Sequence, residues 1–167
     1  ETFKAHNSDV HTSEHKNSLT TPHIWEAPPT GNFPNTARIR CWGAGAGGGG
    51  GNNLVNSGGG GGAGCFSETM VIYIPGEQFE ITVGIGGHGG NGVIANEDGA
   101  TGQDGGMSKV TSADGFIVYC RAPGGSGGVG AVRSIDGGTG GNGGSNSTDI
   151  GDRSSSGSAG SKKAFEV

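Results

Sequence analysis

Ala37-Arg38-Ile39-Arg40-Cys41-Trp42 runs without a break into Gly43-Ala44-Gly45-Ala46-Gly47-Gly48-Gly49-Gly50-Gly51. The first half is β-branched, aromatic and partly alternating, which reads as a strand. The second half has almost no side chains. Each ordered residue costs roughly 1–2 kcal/mol of backbone entropy, and glycine loses more freedom than any other residue. An ordered glycine tract must therefore gain something only glycine allows, which is close approach of backbones. Forty of the 167 residues are glycine, in runs such as 58–62 and in the repeat Gly137-Gly138-Thr139-Gly140-Gly141-Asn142-Gly143-Gly144-Ser145, so this reading governs most of the chain.

A collagen chain requires strict Gly-X-Y with abundant proline, and six prolines with glycines in pairs and runs exclude it. Two readings remain: a flexible linker array, or left-handed extended helices of three residues per turn whose bare edges exchange backbone hydrogen bonds. Strand-like segments between the tracts favour the second. They are residues 37–42, Cys65-Phe66-Ser67-Glu68-Thr69-Met70-Val71-Ile72-Tyr73-Ile74, Phe79-Glu80-Ile81-Thr82-Val83 and Phe116-Ile117-Val118-Tyr119-Cys120. The expected fold is all-β, a sandwich-like framework of short strands with interleaved polyglycine II helices. Residues 1–20 are expected to form a small N-terminal collar, and 21–167 the glycine-rich fibre domain. Helix signals occur only at 12–19, with Thr12 or Ser13 as N-cap and Glu14 in the first turn.

Along the body, Pro22, Pro28, Pro29 and Pro34 leave His23-Ile24-Trp25-Glu26-Ala27 only the role of a short edge strand. A turn at Pro75-Gly76-Glu77 is expected to join 70–74 to 79–83 as a hairpin. Residues 145–161, rich in Ser, Gly and Asp, read as a long surface loop, and Ala164-Phe165-Glu166-Val167 as a closing strand. The hydrophobic share of 30% is spread over short segments, so the core should be thin and stability should depend on oligomerisation or on the glycine backbone network.

A net charge of −5, with no basic cluster beyond Lys162-Lys163, argues against a nucleic-acid partner. No apolar run reaches the length of a membrane span, so no membrane insertion is expected, and the N-terminus lacks the order of a signal peptide. The chain begins at Glu1 without methionine, as expected of a processed chain or the C-terminal piece of a longer one. Cys41, Cys65 and Cys120 lie on three expected strands; an odd, low count reads as buried small residues in a protein assembled in a reducing cytoplasm, with one pair able to bridge later.

Motifs for chemistry fail on context. The Gly-x-Gly-x-x-Gly string after Trp42 follows a strand but opens no helix and has no acidic residue at the right distance, so it is not a dinucleotide site. The calcium-binding nonapeptide is approximated once, at 99–104. His11-Thr12-Ser13-Glu14-His15 matches a zinc-protease string without a third ligand, leaving polar collar residues or adventitious metal binding by His6, His11 or His15. Glu97, Asp98 and Asp104 sit in glycine loops with nothing to fix them as a catalytic pair. Neither an enzyme nor a cofactor or metal site is expected.

On a scaffold with so few side chains, recognition falls to the places where side chains return: 52–57, 93–98 and 131–136. Asn53, Leu54, Val55, Ile94, Asn96, Glu97, Val132, Arg133 and Ile135 are the candidate contact residues, and Arg133 offers a fork of donors suited to phosphate or carboxylate.

Trp25-x-Ala-Pro, then Ala37-Arg-Ile-Arg-Cys-Trp-Gly-Ala-Gly-Ala followed by five glycines, then 58–62, then Ile74-Pro-Gly-Glu-Gln-Phe-Glu-Ile-Thr-Val-Gly-Ile-Gly-Gly-His-Gly-Gly-Asn-Gly resembles the glycine-rich domain of bacteriophage tail-fibre proteins over residues 23–130. His6-Asn7-Ser8-Asp9-Val10-His11-Thr12-Ser13-Glu14 is similar to a short segment of phage fibre shafts, one residue shorter here. The resemblance implies a virion fibre or tip protein, assembled in the host cytoplasm. In T-even-type adhesins of this kind, stacked polyglycine helices present distal loops to a receptor. The implied partners are a bacterial surface glycan or outer-membrane protein and other fibre or tail subunits, with a homotrimer expected. A structural virion protein, such as a head fibre or decoration protein, is the alternative; a flat ice-binding face at Thr139, Asn142 and Ser145 is a third reading.

Overall fold

The computed structural model describes residues 22–28, 35–52, 57–94, 97–132 and 150–161, and among these it is all-β with no helix. The helix signals at 12–19, the Gly-Gly-X repeat from 137 and the closing strand at 164–167 lie outside the described residues. Seven strands form two antiparallel sheets: β1 (His23–Glu26), β2 (Asn35–Trp42), β3 (Phe66–Tyr73), β4 (Gln78–Thr82), β5 (Ser108–Ser112), β6 (Val118–Ala122) and β7 (Arg153–Ser155). Their order is β1-β4-β5-β6 in one sheet and β2-β3-β7 in the other. Strands β5 and β6 face β2 and β3, which makes a sandwich.

Alternation decides which side chains go inward. On β2 Asn35, Ala37 and Cys41 are buried while Thr36, Arg38, Arg40 and Trp42 face out. On β3 Ser67, Thr69 and Tyr73 are buried while Met70 and Ile72 are exposed. The core consists of Ala27, Ala37, Cys41, Cys65, Tyr73, Phe79, Val110, Cys120 and Ala122. Phe79 is its largest fully buried side chain, with the rings of Trp25 and Tyr119 at centroid distances of 5.5 Å and 5.1 Å. Burying such a ring contributes roughly 2–3 kcal/mol.

The hairpin expected at Pro75-Gly76 is an inter-sheet corner instead, since β3 pairs with β2 and β7 whereas β4 pairs with β1 and β5. Gly76, at φ 81°, makes the turn. Its N–H donates to the Ala27 carbonyl at 2.9 Å, and Ala27 N–H donates to the Glu77 carbonyl at 2.8 Å, so the turn, closed on itself by the Glu77 N–H donating to the Ile74 carbonyl at 3.0 Å, is also pinned to the end of β1. The Tyr119 hydroxyl donates to Glu77 Oε1 at 2.9 Å and holds the corner from β6.

Three further differences from the sequence reading have local causes. The strand expected at 116–120 starts at Val118, because Asp114 accepts the Phe116 N–H at 3.0 Å and Gly115 takes φ 77°, which turns Phe116 out to 89% exposure. Strand β5, Ser-Lys-Val-Thr-Ser, carries little apolar signal and was not expected. Within the segment read as a surface loop, Arg153–Ser155 forms β7 on the edge of β3, fixed by Asp152, whose carboxylate accepts the Thr69 hydroxyl and the Met70 N–H, both at 2.8 Å.

Each strand that leaves the sandwich continues as a glycine tract: the first (43–51) from β2, the second (57–65) into β3, the third (84–93) from β4, the fourth (99–107) into β5, the fifth (123–131) from β6 and the sixth (156–161) from β7. Hydrogen bonds between tracts recur every third residue. Gly43, Ala46 and Gly49 donate to Cys65, Gly62 and Gly59 of the second tract, and Ala44, Gly47 and Gly50 donate to Gly106, Gln103 and Ala100 of the fourth. The carbonyls of Ala44, Gly47 and Gly50 accept from Gly125, Gly128 and Ala131 of the fifth, and those of Gly45, Gly48 and Gly51 from Gly87, Gly90 and Val93 of the third. The first tract is therefore the hub of the stack, bonded to four neighbours.

The same rows explain the composition. A Cβ at Gly47 would overlap the His88 carbonyl, one at Gly49 the Val129 carbonyl, and one at Gly102 the Gly47 carbonyl. Only Gly76 and Gly115 have positive φ among the described residues, so the tract glycines are required by proximity rather than by handedness. On the outer row the requirement lapses: a Cβ at Gly86 meets nothing nearer than the Gly45 carbonyl at 3.9 Å.

Candidate functional site at the free end of the glycine stack

Because strands feed tracts and tracts turn back, the connections after the first, third and fifth tracts emerge at one end, opposite the sheets. Asn52 joins them. It forms a parallel bridge with Val93, and its Nδ2 donates to the Val132 carbonyl at 3.4 Å. One level below, Gly50 N–H donates to Ala100 and Gly99 N–H to Ala131, both at 2.8 Å, so the first, fourth and fifth tracts share one backbone floor.

Of the candidate contact residues, Ile94, Glu97 and Val132 are placed on this end; Ile94 is 90% exposed, Val132 40%, and Glu97 is exposed. Asn53, Leu54, Val55, Asn96, Arg133 and Ile135 lie outside the described residues. Among the described residues of this end, the acidic pair Glu97 and Asp98 is exposed near Ile94, a mixture of apolar and anionic groups. Sequence reasoning noted Asn52 as part of its loop but did not single it out. Its signal is positional, since it is the first side chain able to hydrogen-bond after the first tract.

A second surface was not anticipated. The outward face of β2, β3 and β7 aligns Trp42 with Phe66, Arg40 with Glu68 and Arg153, and Arg38 with Met70. The Trp42 and Phe66 rings stand 5.1 Å apart, and Ile72 is 71% exposed. Arg40 Nε donates to Glu68 Oε2 at 2.5 Å, and Arg153 Nη1 lies 3.8 Å from Glu68 Oε1. The Arg40 hydrogen bond, aided by the charges of Arg40, Arg38 and Arg153, holds the Glu68 carboxyl below the usual glutamate range. This row crosses all three strands of the sheet and keeps an anion flanked by cations on a face that also exposes Trp42, Met70 and Ile72.

Chemistry is sparse elsewhere. No group of three His, Cys, Asp or Glu side chains that could hold a metal ion occurs among the described residues. No helix there is long and apolar enough to cross a membrane. The three cysteines are buried thiols, and contact with the Cys120 thiol followed by burial pushes the Cys41 thiol far above its ordinary value.

A family model described as a glycine-rich domain matches residues 20–164, and the chain belongs to that family of glycine-rich domains. No curated protein matches the sequence.

Proposed function

We propose that this chain is a virion fibre or tip protein that binds a bacterial surface receptor through the loops at the free end of its glycine stack. The observation that carries the reading is the convergence of three connections on Asn52, with Ile94 and Val132 left exposed beside them. Apolar side chains held out on a hydrogen-bonded floor suit recognition, because side chains on a fixed backbone lose little entropy on binding. The tracts are read here as polyglycine II helices, supported by the three-residue hydrogen-bond repeat. The resemblance to tail-fibre domains supplies the biological setting: a bacterial glycan or outer-membrane protein as receptor, fibre or tail subunits as structural partners, and many weak contacts summed over a trimer.

The second reading, a structural virion protein, is favoured by the exposed face carrying Trp42, Met70 and Ile72, which suits another subunit. One experiment separates the two. Purified full chain is incubated with a panel of bacterial strains and binding is measured by cytometry. Ile94→Ser and Val132→Ser should each lower binding to a sensitive strain about tenfold, the loss of about 1.4 kcal/mol, with the melting temperature unchanged; Ile72→Ser should leave cell binding intact. Normal binding by both loop variants, or no binding to any strain, transfers the assignment to the structural role.

A further inference from the structure

Cys41 lies on β2 and Cys120 on β6, so their thiols approach from opposite sheets of the sandwich. Both are buried in one cluster, and the strands that carry them pack against each other. Cys120 Sγ also stands 3.5 Å from the carbonyl oxygen of Ser67, the residue that pairs with Cys41 across β2 and β3. The same position thus brings together the edge strand of one sheet, the centre strand of that sheet and the edge strand of the other. Two thiols buried in one core on facing strands are the arrangement a disulfide requires, with Cα atoms brought to about 4.4–6.8 Å.

We propose that Cys41 and Cys120 form a cross-linking site, oxidised by a small disulfide such as glutathione disulfide to one inter-sheet bridge, with Cys65 left as a thiol. The step balances. One cysteine thiolate attacks the glutathione disulfide and releases one glutathione; the second cysteine then attacks the mixed disulfide and releases the other. Two thiol protons are lost, and the two electrons leave with the reduced glutathione. The thiolate is the reacting form. Contact and burial keep the Cys41 thiol protonated in the folded chain, so exchange runs slowly in the native state and fast while the chain folds or opens. A bridge there matters because Phe79 is the largest side chain fully buried in this core, and closing the long loop from 41 to 120 removes conformations from the unfolded chain.

The test refolds the full chain from denaturant, once in a glutathione redox buffer and once in dithiothreitol. The oxidised product should show a single titratable thiol in denaturant, a peptide map linking Cys41 to Cys120, and a melting temperature higher by roughly 10 °C. Native chain exposed to the same buffer should retain its thiols far longer. Cys65→Ser should still form the bridge and Cys41→Ser should not; if Cys41→Ser fails to fold, the peptide map of the natural sequence decides alone. Three free thiols after oxidative refolding, a link through Cys65, or a bridged chain that melts no higher than the reduced one would overturn the proposal.

Discussion

The sandwich and the glycine stack are held together by opposite parts of the residue. In the sandwich, side chains hold the layers: Phe79 packs against Trp25 and Tyr119 of its own sheet, Trp25 meets Tyr73 of the other edge-on at 6.4 Å, and the surrounding alanines and cysteines let the sheets close over them. Between the tracts, backbone meets backbone, and the side chain contributes by its absence, as at Gly47 under the His88 carbonyl or Gly102 under that of Gly47. The sandwich gains from apolar area removed from water. The stack gains from hydrogen bonds, each worth net about 1 kcal/mol, and from removing voids between close-packed chains. The comparison teaches that rigidity here has two independent sources, so the two halves should fail to different substitutions.

The largest effect should come from the sandwich. Phe79→Ala removes the biggest fully buried side chain and should lower stability by about 4 kcal/mol in a denaturant melt. A loss below about 1 kcal/mol would mean that the sandwich contributes little and the stack carries the fold.

Next comes the interior of the stack. Gly47→Ala adds one carbon, yet it lands on main-chain atoms of His88 that cannot rotate away, so the loss should be about 3 kcal/mol. Hydrogen exchange on this variant should rise first at the amides of Gly87, Gly90, Gly125 and Gly128, which bond directly to the first tract. Retention of full stability would show that the tracts are looser than their hydrogen bonds imply.

The smallest effect is the matched change on the outer row. Gly86→Ala makes the same chemical alteration where the nearest atom is 3.9 Å away, and its φ is not positive. It should alter stability by no more than about 1 kcal/mol, toward the folded state, by restricting the unfolded chain. If Gly86→Ala is as harmful as Gly47→Ala, glycine is needed throughout for reasons other than proximity.

Much of this division was legible in the residues. β2, β3 and β4 announced themselves through Ile39, Val71, Ile72, Phe79 and Ile81, and Pro28 confined β1 to an edge as the pairing with β4 alone bears out. The corner at Pro75-Gly76 was not legible, because a turn signal fixes a change of direction and not the sheet that receives the next strand. β5 and β7 were hidden for a different reason. Ser108, Lys109, Ser154 and Ser155 take their strand geometry from neighbours, through the β4 and β6 ladders in one case and the Asp152 carboxylate in the other. At the candidate site, glycine spacing marked where side chains return, and Ile94 and Val132 are exposed there. That Asn52 ties those returns together depends on tracts far apart in sequence, which no local pattern encodes.

The three-residue bonding period also constrains how such a chain can change over generations. Inserting a single residue within the first tract would shift every later donor and acceptor by one position and break register with four neighbours at once. Only whole triplets, added at matching heights in adjoining tracts, would preserve the bonding pattern. Insertions and deletions should therefore accumulate beyond Asn52, Ile94 and Val132 rather than within the bonded tracts, so that lineages sharing an unvarying trunk can diversify by exchanging short terminal cassettes.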